Sequence, residues 1–245
     1  MGTSVNTITL SVWPLSVSRD RLDALHALLC DEEKARARRF HSSDARQEYV
    51  VAHGIARELL GVECCCHPRD IAFKRAANGK PSIAARRHAP SFSLAHAGRY
   101  AALAACRLAP LGVDLEPIGP LSDDLVHAAL SRPAAAALRL VPAALRPTAF
   151  FRAWTLKEAY LKATGEGLPG GLDSLELDIQ PGAQVTPIAI KGSVAGITDW
   201  QFFAFEPAPG YAGAIALHSA RRVSQPSLRV IDPETATPTI NMGDT

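Results

Sequence analysis

The chain has 245 residues, 47% of them apolar, and a mean hydropathy near zero, enough to bury one large core or two smaller ones. A formal net charge of +2 supplies no global field for nucleic acid, and five cysteines, three of them consecutive at Cys64, Cys65 and Cys66, make neither a disulfide framework nor a zinc spacing. Reduced thiols suit a cytoplasmic protein, and with no apolar leader and no run approaching about eighteen apolar residues, neither secretion nor membrane spanning is expected.

Residues 7–12 alternate, which predicts a strand with Ile8, Leu10 and Val12 on one face. Ser18 reads as the N-cap of a helix carrying Leu22, Leu25 and Leu29. A second helix from Asp31 carries Lys34, Arg36, Arg38 and Arg39. Such a cluster is usually a solvated face, but beside a nucleotide site it is also where polyanions dock. The helix after Ser43 holds Arg46 in its first turn, turns Tyr49, Ile55 and Leu59 inward and ends near Gly61. Asn78-Gly79-Lys80-Pro81 is a turn, where a lysine is normally just solvated. Phe92–Leu94 and Tyr100–Cys106 read as strands joined through His96-Ala97-Gly98, a tight connection where backbone N–H groups and an imidazole could meet a phosphate.

Leu111–Pro117, LGVDLEP, alternates as a strand with Val113 and Leu115 on one face and Asp114 and Glu116 on the other. The plain reading is the wet face of a sheet. Against it, like charges two residues apart repel, and the neighbouring sequence is poor in acids, so a bound cation is plausible. An Ala-rich helical segment over 122–145 is interrupted at Pro133 and Pro142, each opening a new turn of helix. On a helix, Phe150, Phe151, Trp154 and Leu161 of FFRAWTLKEAYLKATGEGL (150–168) form an apolar stripe containing Glu158, with Lys162 one turn further on. Either this is a salt-bridged amphipathic helix, or Glu158 is a paired or metal-ligating carboxylate. Asp114, Glu116 and Glu158 together make a hard-oxygen set suited to Mg²⁺. Gly165, Gly167, Gly170 and Gly171 follow in a loop, then strands near Leu175–Ile179, Val185–Ile190, Trp200–Phe205 and Ala212–Leu217. The segment after Arg221 has little apolar periodicity and is expected to be disordered or loosely packed.

GVDLE, followed some forty residues later by FFRAWTLKEAYLKATGEGL, resembles the paired signature of the 4′-phosphopantetheinyl transferases, most closely the single-chain, two-half Sfp-type branch. Gly79-Lys80-Pro81 and Phe92-Ser93-Leu94-Ala95-His96-Ala97-Gly98 resemble two further motifs of that branch, with Ala95 where the family usually has Ser. The resemblance implies an α+β fold of two pseudosymmetric halves with the active site between them. The halves are expected over 1–110 (coenzyme A side) and 111–220 (metal and catalytic carboxylates), followed by a tail over 221–245. It also implies Mg²⁺ on Asp114, Glu116 and Glu158, and coenzyme A contacts from Arg46, Lys80, Pro81, His96 and Lys162, the 3′-phosphate at His96 and Arg46.

The implied reaction moves the 4′-phosphopantetheine arm of coenzyme A onto a serine of an acyl or peptidyl carrier protein and releases 3′,5′-ADP. Glu158 is the candidate base and Lys162 the cation that neutralises the transferring phosphorus, with Lys157 a second cation. No nucleic-acid or membrane partner is expected, and the branch implies a monomer. Rival readings are a noncatalytic coenzyme A module, a nucleic-acid binder using the Lys34–Arg46 cluster, and a Mg²⁺-dependent phosphohydrolase.

Overall fold

Helix starts are set by side chains that satisfy orphan backbone donors. Ser18, Ser42 and Ser122 each accept the N–H three residues on, from Arg21, Ala45 and Leu125. They open α1 (Arg19–Leu28), α3 (Ser43–Cys64) and α4 (Asp123–Ala129), while α2 (Asp31–Ala37) starts in a capping box closed by Glu33. Pro133 sits in the first turn of α5 (Arg132–Leu140) and Pro147 in that of α6 (Arg146–Thr164), positions where a missing N–H costs nothing. The computed structural model describes residues 7–76, 79–84, 89–167 and 171–238; Asn78, Leu168 and Gly170 of the motifs above lie outside them.

The strands are β1 (Ile8–Pro14), β2 (Phe73–Arg75), β3 (Pro81–Ile83), β4 (Ser91–Ala97), β5 (Tyr100–Cys106), β6 (Leu111–Pro117), β7 (Leu175–Ile179), β8 (Val185–Ile190), β9 (Trp200–Phe205), β10 (Tyr211–His218), β11 (Leu228–Asp232) and β12 (Thr237–Pro238). One connectivity occurs twice. In the first half β1 pairs antiparallel with β5 and β5 with β4; in the second, β6 pairs antiparallel with β10 and β10 with β9. Among the described residues, each half inserts three α-helices and a hairpin, β2–β3 or β7–β8, between its first and last strands.

The two sheets share a core in which Leu10, Val12, Ala102 and Ala104 meet Val113, Leu115, Ile215 and Leu217. The opposite face of the first sheet packs on α3 through Val51, Ile55 and Leu60, and that of the second on α6 through Ala214 and Ala216. Where the halves meet, the Val113 N–H donates to the buried Ser93 Oγ at 3.1 Å, tying β6 to β4. This double-sheet α+β arrangement matches the fold class read from the sequence.

Four expectations change. Helix α3 continues past Gly61 to Cys64 and closes on Cys65 in the left-handed region at φ 50°. His96 lies within β4, not in the connection after it. Helix α6 begins at Arg146 and is buried on several sides, since Ala153, Leu156, Ala159 and Tyr160 join Phe150 and Leu161 in the core, while Phe151 and Trp154 are only partly buried. It is a central helix, so a single apolar stripe describes it poorly. Finally, the tail expected to be disordered lays β11 parallel to β1, with Leu228, Arg229 and Val230 beside Leu10, Ser11 and Val12, and buries Ile231. Its Glu234 accepts from the Ser18 backbone and hydroxyl, which fastens it to the start of α1. No helix among the described residues is long and apolar enough to cross a membrane.

Candidate active site

The site forms where β6 lies directly on α6. A Cβ at Gly112 would stand 2.0 Å from the Ala159 carbonyl oxygen and 2.5 Å from the Ala163 nitrogen, so only glycine allows this approach. Across the ladder Ala216 faces Gly112 and Ala214 faces Asp114, keeping the neighbouring strand low as well. Strand alternation sends Val113 and Leu115 into the inter-sheet core and Asp114 and Glu116 toward the helix.

Lys162 donates from Nζ to Asp114 Oδ1 at 2.6 Å. Asp114 is 4% exposed, and its Oδ2 is buried with no hydrogen-bond partner among the described residues. Burial pushes the Asp114 carboxyl up, opposed by the Lys162 charge and hydrogen bond. Glu116 is pushed up to about 7 by burial and then by the Asp114 charge, with Glu158 adding and Lys162 and a hydrogen bond from Trp154 opposing. Glu158 rises for the same reasons, burial first and Asp114 second. Three carboxylates therefore share one ammonium, and the Asp114 charge makes both glutamates harder to ionise.

This set fits a hard divalent cation. The orphaned Asp114 oxygen needs a positive partner, and further positive charge would lower all three raised carboxyls. Among the described residues no group of three or more His, Cys, Asp or Glu side chains is placed to hold a metal ion by itself, so the protein alone offers no complete cage. Mg²⁺ does not require one, because it keeps waters and substrate phosphate in its shell.

Glu158 and Lys162 also line a cavity of about 720 Å³ whose other walls come from α2, α3, β4 and the β2–β3 hairpin. Arg36, Arg57, Arg75 and Lys80 line that wall together with Glu32 and Glu33, beside His53 and His96. His96 is exposed to the cavity, yet the enclosing walls and then the charges of His53, Lys162 and Arg36 push its imidazole down to about 4, so it is neutral near pH 7. The Arg36 guanidinium lies 5.7 Å from the Tyr49 ring centroid, and Tyr49 stacks on His53 at 4.0 Å.

The structure thus brings Asp114, Glu116, Glu158 and Lys162 within electrostatic reach of one another, and of these Glu158 and Lys162 line a cavity shared with Lys80, Pro81 and His96. Arg46 is not among them: it is exposed and donates to the Phe40 carbonyl, and Arg36, one helix earlier, takes the cavity-facing place. Lys157 also turns away. It is 2% exposed and donates to the Leu172 and Leu175 carbonyls, because one residue on a helix rotates the side chain by about 100° from Glu158. Lys80 reaches the cavity wall, but its ammonium donates to the Leu111 and Ala163 carbonyls. Ala95 is buried in the core between the sheets.

Sequence reasoning missed His53, Arg75 and the Glu33–Arg57 pair, since nothing local marks a helix or hairpin residue as cavity-facing. Gly112 carried a usable signal, an interior strand glycine marking close backbone approach.

Two family models match the chain. One, described as the 4′-phosphopantetheinyl transferase superfamily, covers residues 110–216; the other, described as the N-terminal part of 4′-phosphopantetheinyl transferase, covers residues 13–108. Among curated proteins, the chain is 35% identical over 173 residues to the 4′-phosphopantetheinyl transferase HetI of a Nostoc species, an alignment covering 69% of this chain and 72% of the relative. It is 28% identical over 171 residues to psf-1 of Bacillus pumilus, covering 69% and 72%. To Sfp of Bacillus subtilis it is 24% identical over 170 residues, covering 69% and 75%.

Proposed function

The chain belongs to the 4′-phosphopantetheinyl transferase superfamily, and from that premise we propose that it moves the phosphopantetheine arm of coenzyme A onto a serine of an acyl or peptidyl carrier protein with the help of Mg²⁺. The observation that carries the site assignment is the carboxylate excess at β6 and α6, with the buried Asp114 Oδ2 lacking a hydrogen-bond partner among the described residues.

Asp114, Glu116 and Glu158 would hold Mg²⁺, which supplies charge neutralisation at the pyrophosphate oxygens when bound. The serine Oγ attacks the β-phosphorus of coenzyme A, the bond from that phosphorus to the bridging oxygen breaks, and 3′,5′-ADP leaves. Glu158, which lines the cavity beside Lys162, takes the serine proton. Lys162, anchored on Asp114, presents positive charge to the oxygens of the transferring phosphorus. Arg36 and His96 meet the 3′-phosphate end, His96 as a neutral N–H donor whose pKa an anion would raise. The division into a coenzyme A half over 1–110 and a carboxylate half over 111–220 is part of this reading, and follows the repeated strand order.

Intact mass of a panel of apo acyl and peptidyl carrier proteins, after incubation with this protein, coenzyme A and Mg²⁺, tests the proposal against an EDTA control. A metal-dependent gain of one phosphopantetheine arm is expected. Cleavage of coenzyme A without any carrier gaining mass would instead identify a phosphohydrolase.

A further inference from the structure

Lys80 stands in a turn, where a lysine ordinarily points into water. Here it crosses from the first half to the second. Its Nζ donates to the Leu111 carbonyl at 2.9 Å and to the Ala163 carbonyl at 2.7 Å. The turn is shaped to deliver it: Gly79 takes φ +83°, the Ala76 N–H donates to the Lys80 carbonyl, and the Gly79 N–H donates to the Ala76 carbonyl. Burial lowers the Lys80 ammonium only to about 8, so it stays charged near neutral pH.

Both acceptors sit at the seam that assembles the site. Ala163 belongs to the last turn of α6, whose carbonyls lack helical partners and whose dipole end favours a cation. It directly follows Lys162, the residue that reaches Asp114. Leu111 opens β6 and directly precedes Gly112, where strand and helix backbones come closest. A single ammonium thus clips the end of α6 to the start of β6 from outside, beside their tightest contact.

We propose that Lys80 is a positioning residue, a latch from the β2–β3 turn that holds Lys162 on α6 in register with Asp114 on β6. Its effect on transfer runs through that register rather than through contact with coenzyme A. The proposal rests on the reading of Lys162 and Asp114 as catalytic machinery. It departs from the sequence expectation, in which Lys80 binds coenzyme A itself.

The test compares wild type with Lys80→Met and Lys80→Arg. Coenzyme A affinity is measured by calorimetry, transfer kinetics on an apo carrier protein, and hydrogen exchange on the protein alone. Charged hydrogen bonds of this kind support a loss of about tenfold or more in kcat for Lys80→Met, with coenzyme A affinity changed less than about threefold. Exchange of the Gly165 amide, which bonds Leu161, and of the Val113 amide, which bonds Ser93, should quicken about tenfold while α1 and α3 are unchanged. Lys80→Arg, which keeps the charge, should recover part of both. A weaker coenzyme A affinity with kcat and exchange intact would overturn the latch, as would no change in any readout. If Lys80→Met does not fold, the same comparison is read from Lys80→Arg alone. Because exchange needs neither coenzyme A nor carrier, the latch stands or falls even if wild type transfers nothing, an outcome that would defeat only the functional reading.

Discussion

Two charge clusters occupy the two halves, and they differ in how nearly their charges balance. In the first half Glu33 accepts from Arg57 Nε at 2.7 Å and from the Cys30 N–H at 2.9 Å, with His53 Nδ1 at 3.6 Å. Arg57, 1% exposed, spends a further nitrogen on the Pro68 and Ile71 carbonyls. One carboxylate faces one guanidinium and an imidazole, and despite burial the hydrogen bonds and the Arg57 charge hold Glu33 down at about 2. In the second half three carboxylates face one Lys162, and all three are pushed up. On a shared strand order, the charge-balanced cluster fixes α2 to α3, even though Arg57 Nη2 has no hydrogen-bond partner among the described residues, whereas the carboxylate-rich one has capacity for a ligand.

Four changes probe that contrast, from the largest expected effect to the smallest. Glu158→Gln removes a base and a charge but little volume; turnover should fall by about 10²–10⁴ with the fold and coenzyme A affinity largely kept, measured by single-turnover kinetics and calorimetry. Glu33→Gln leaves the buried Arg57 without its counter-charge and should cost about 3–5 kcal/mol in denaturant unfolding, a loss of stability rather than of chemistry. Gly112→Ala forces β6 off α6 and should cost about 1–3 kcal/mol while lowering kcat, because Asp114 moves relative to Lys162.

The smallest effect is in pH, where the two clusters have opposite signs. Glu33 is lowered from 4.5 to about 2, so its contribution is complete above pH 4.5 and lost as pH falls through 2. Glu116 is raised from 4.5 to about 7, so its contribution is complete below pH 4.5 and lost as pH rises through 7. In EDTA the melting temperature should therefore decline by a few degrees between pH 5 and 7.5, and Glu116→Gln should flatten that decline.

Much of the candidate site was legible in the sequence because its geometry is local. The period of two in LGVDLEP puts Asp114 and Glu116 on one face, and the four-residue step from Glu158 to Lys162 is one helical turn. What lay hidden depends on tertiary placement. Arg46 and Arg36 look alike as members of one basic cluster, and only the packing of α2 against α3 decides which faces the cavity. The strand β11 was missed since LRVID, five residues after a polar stretch, becomes a strand by pairing with β1, a partner more than two hundred residues away. Likewise α6 was read as amphipathic because its alanines, small enough to let β6 and β10 approach, contribute little to an apolar stripe.

The central claim is that the β6–α6 cluster is completed by a divalent cation. Calorimetric titration of Mg²⁺ into the protein with coenzyme A at pH 7, comparing wild type with Asp114→Asn, tests it most directly. Binding to wild type is expected to release protons, as the incoming cation displaces the Glu116 proton into solvent, and to weaken by about tenfold or more in Asp114→Asn. Equal Mg²⁺ affinity in the two proteins would contradict it.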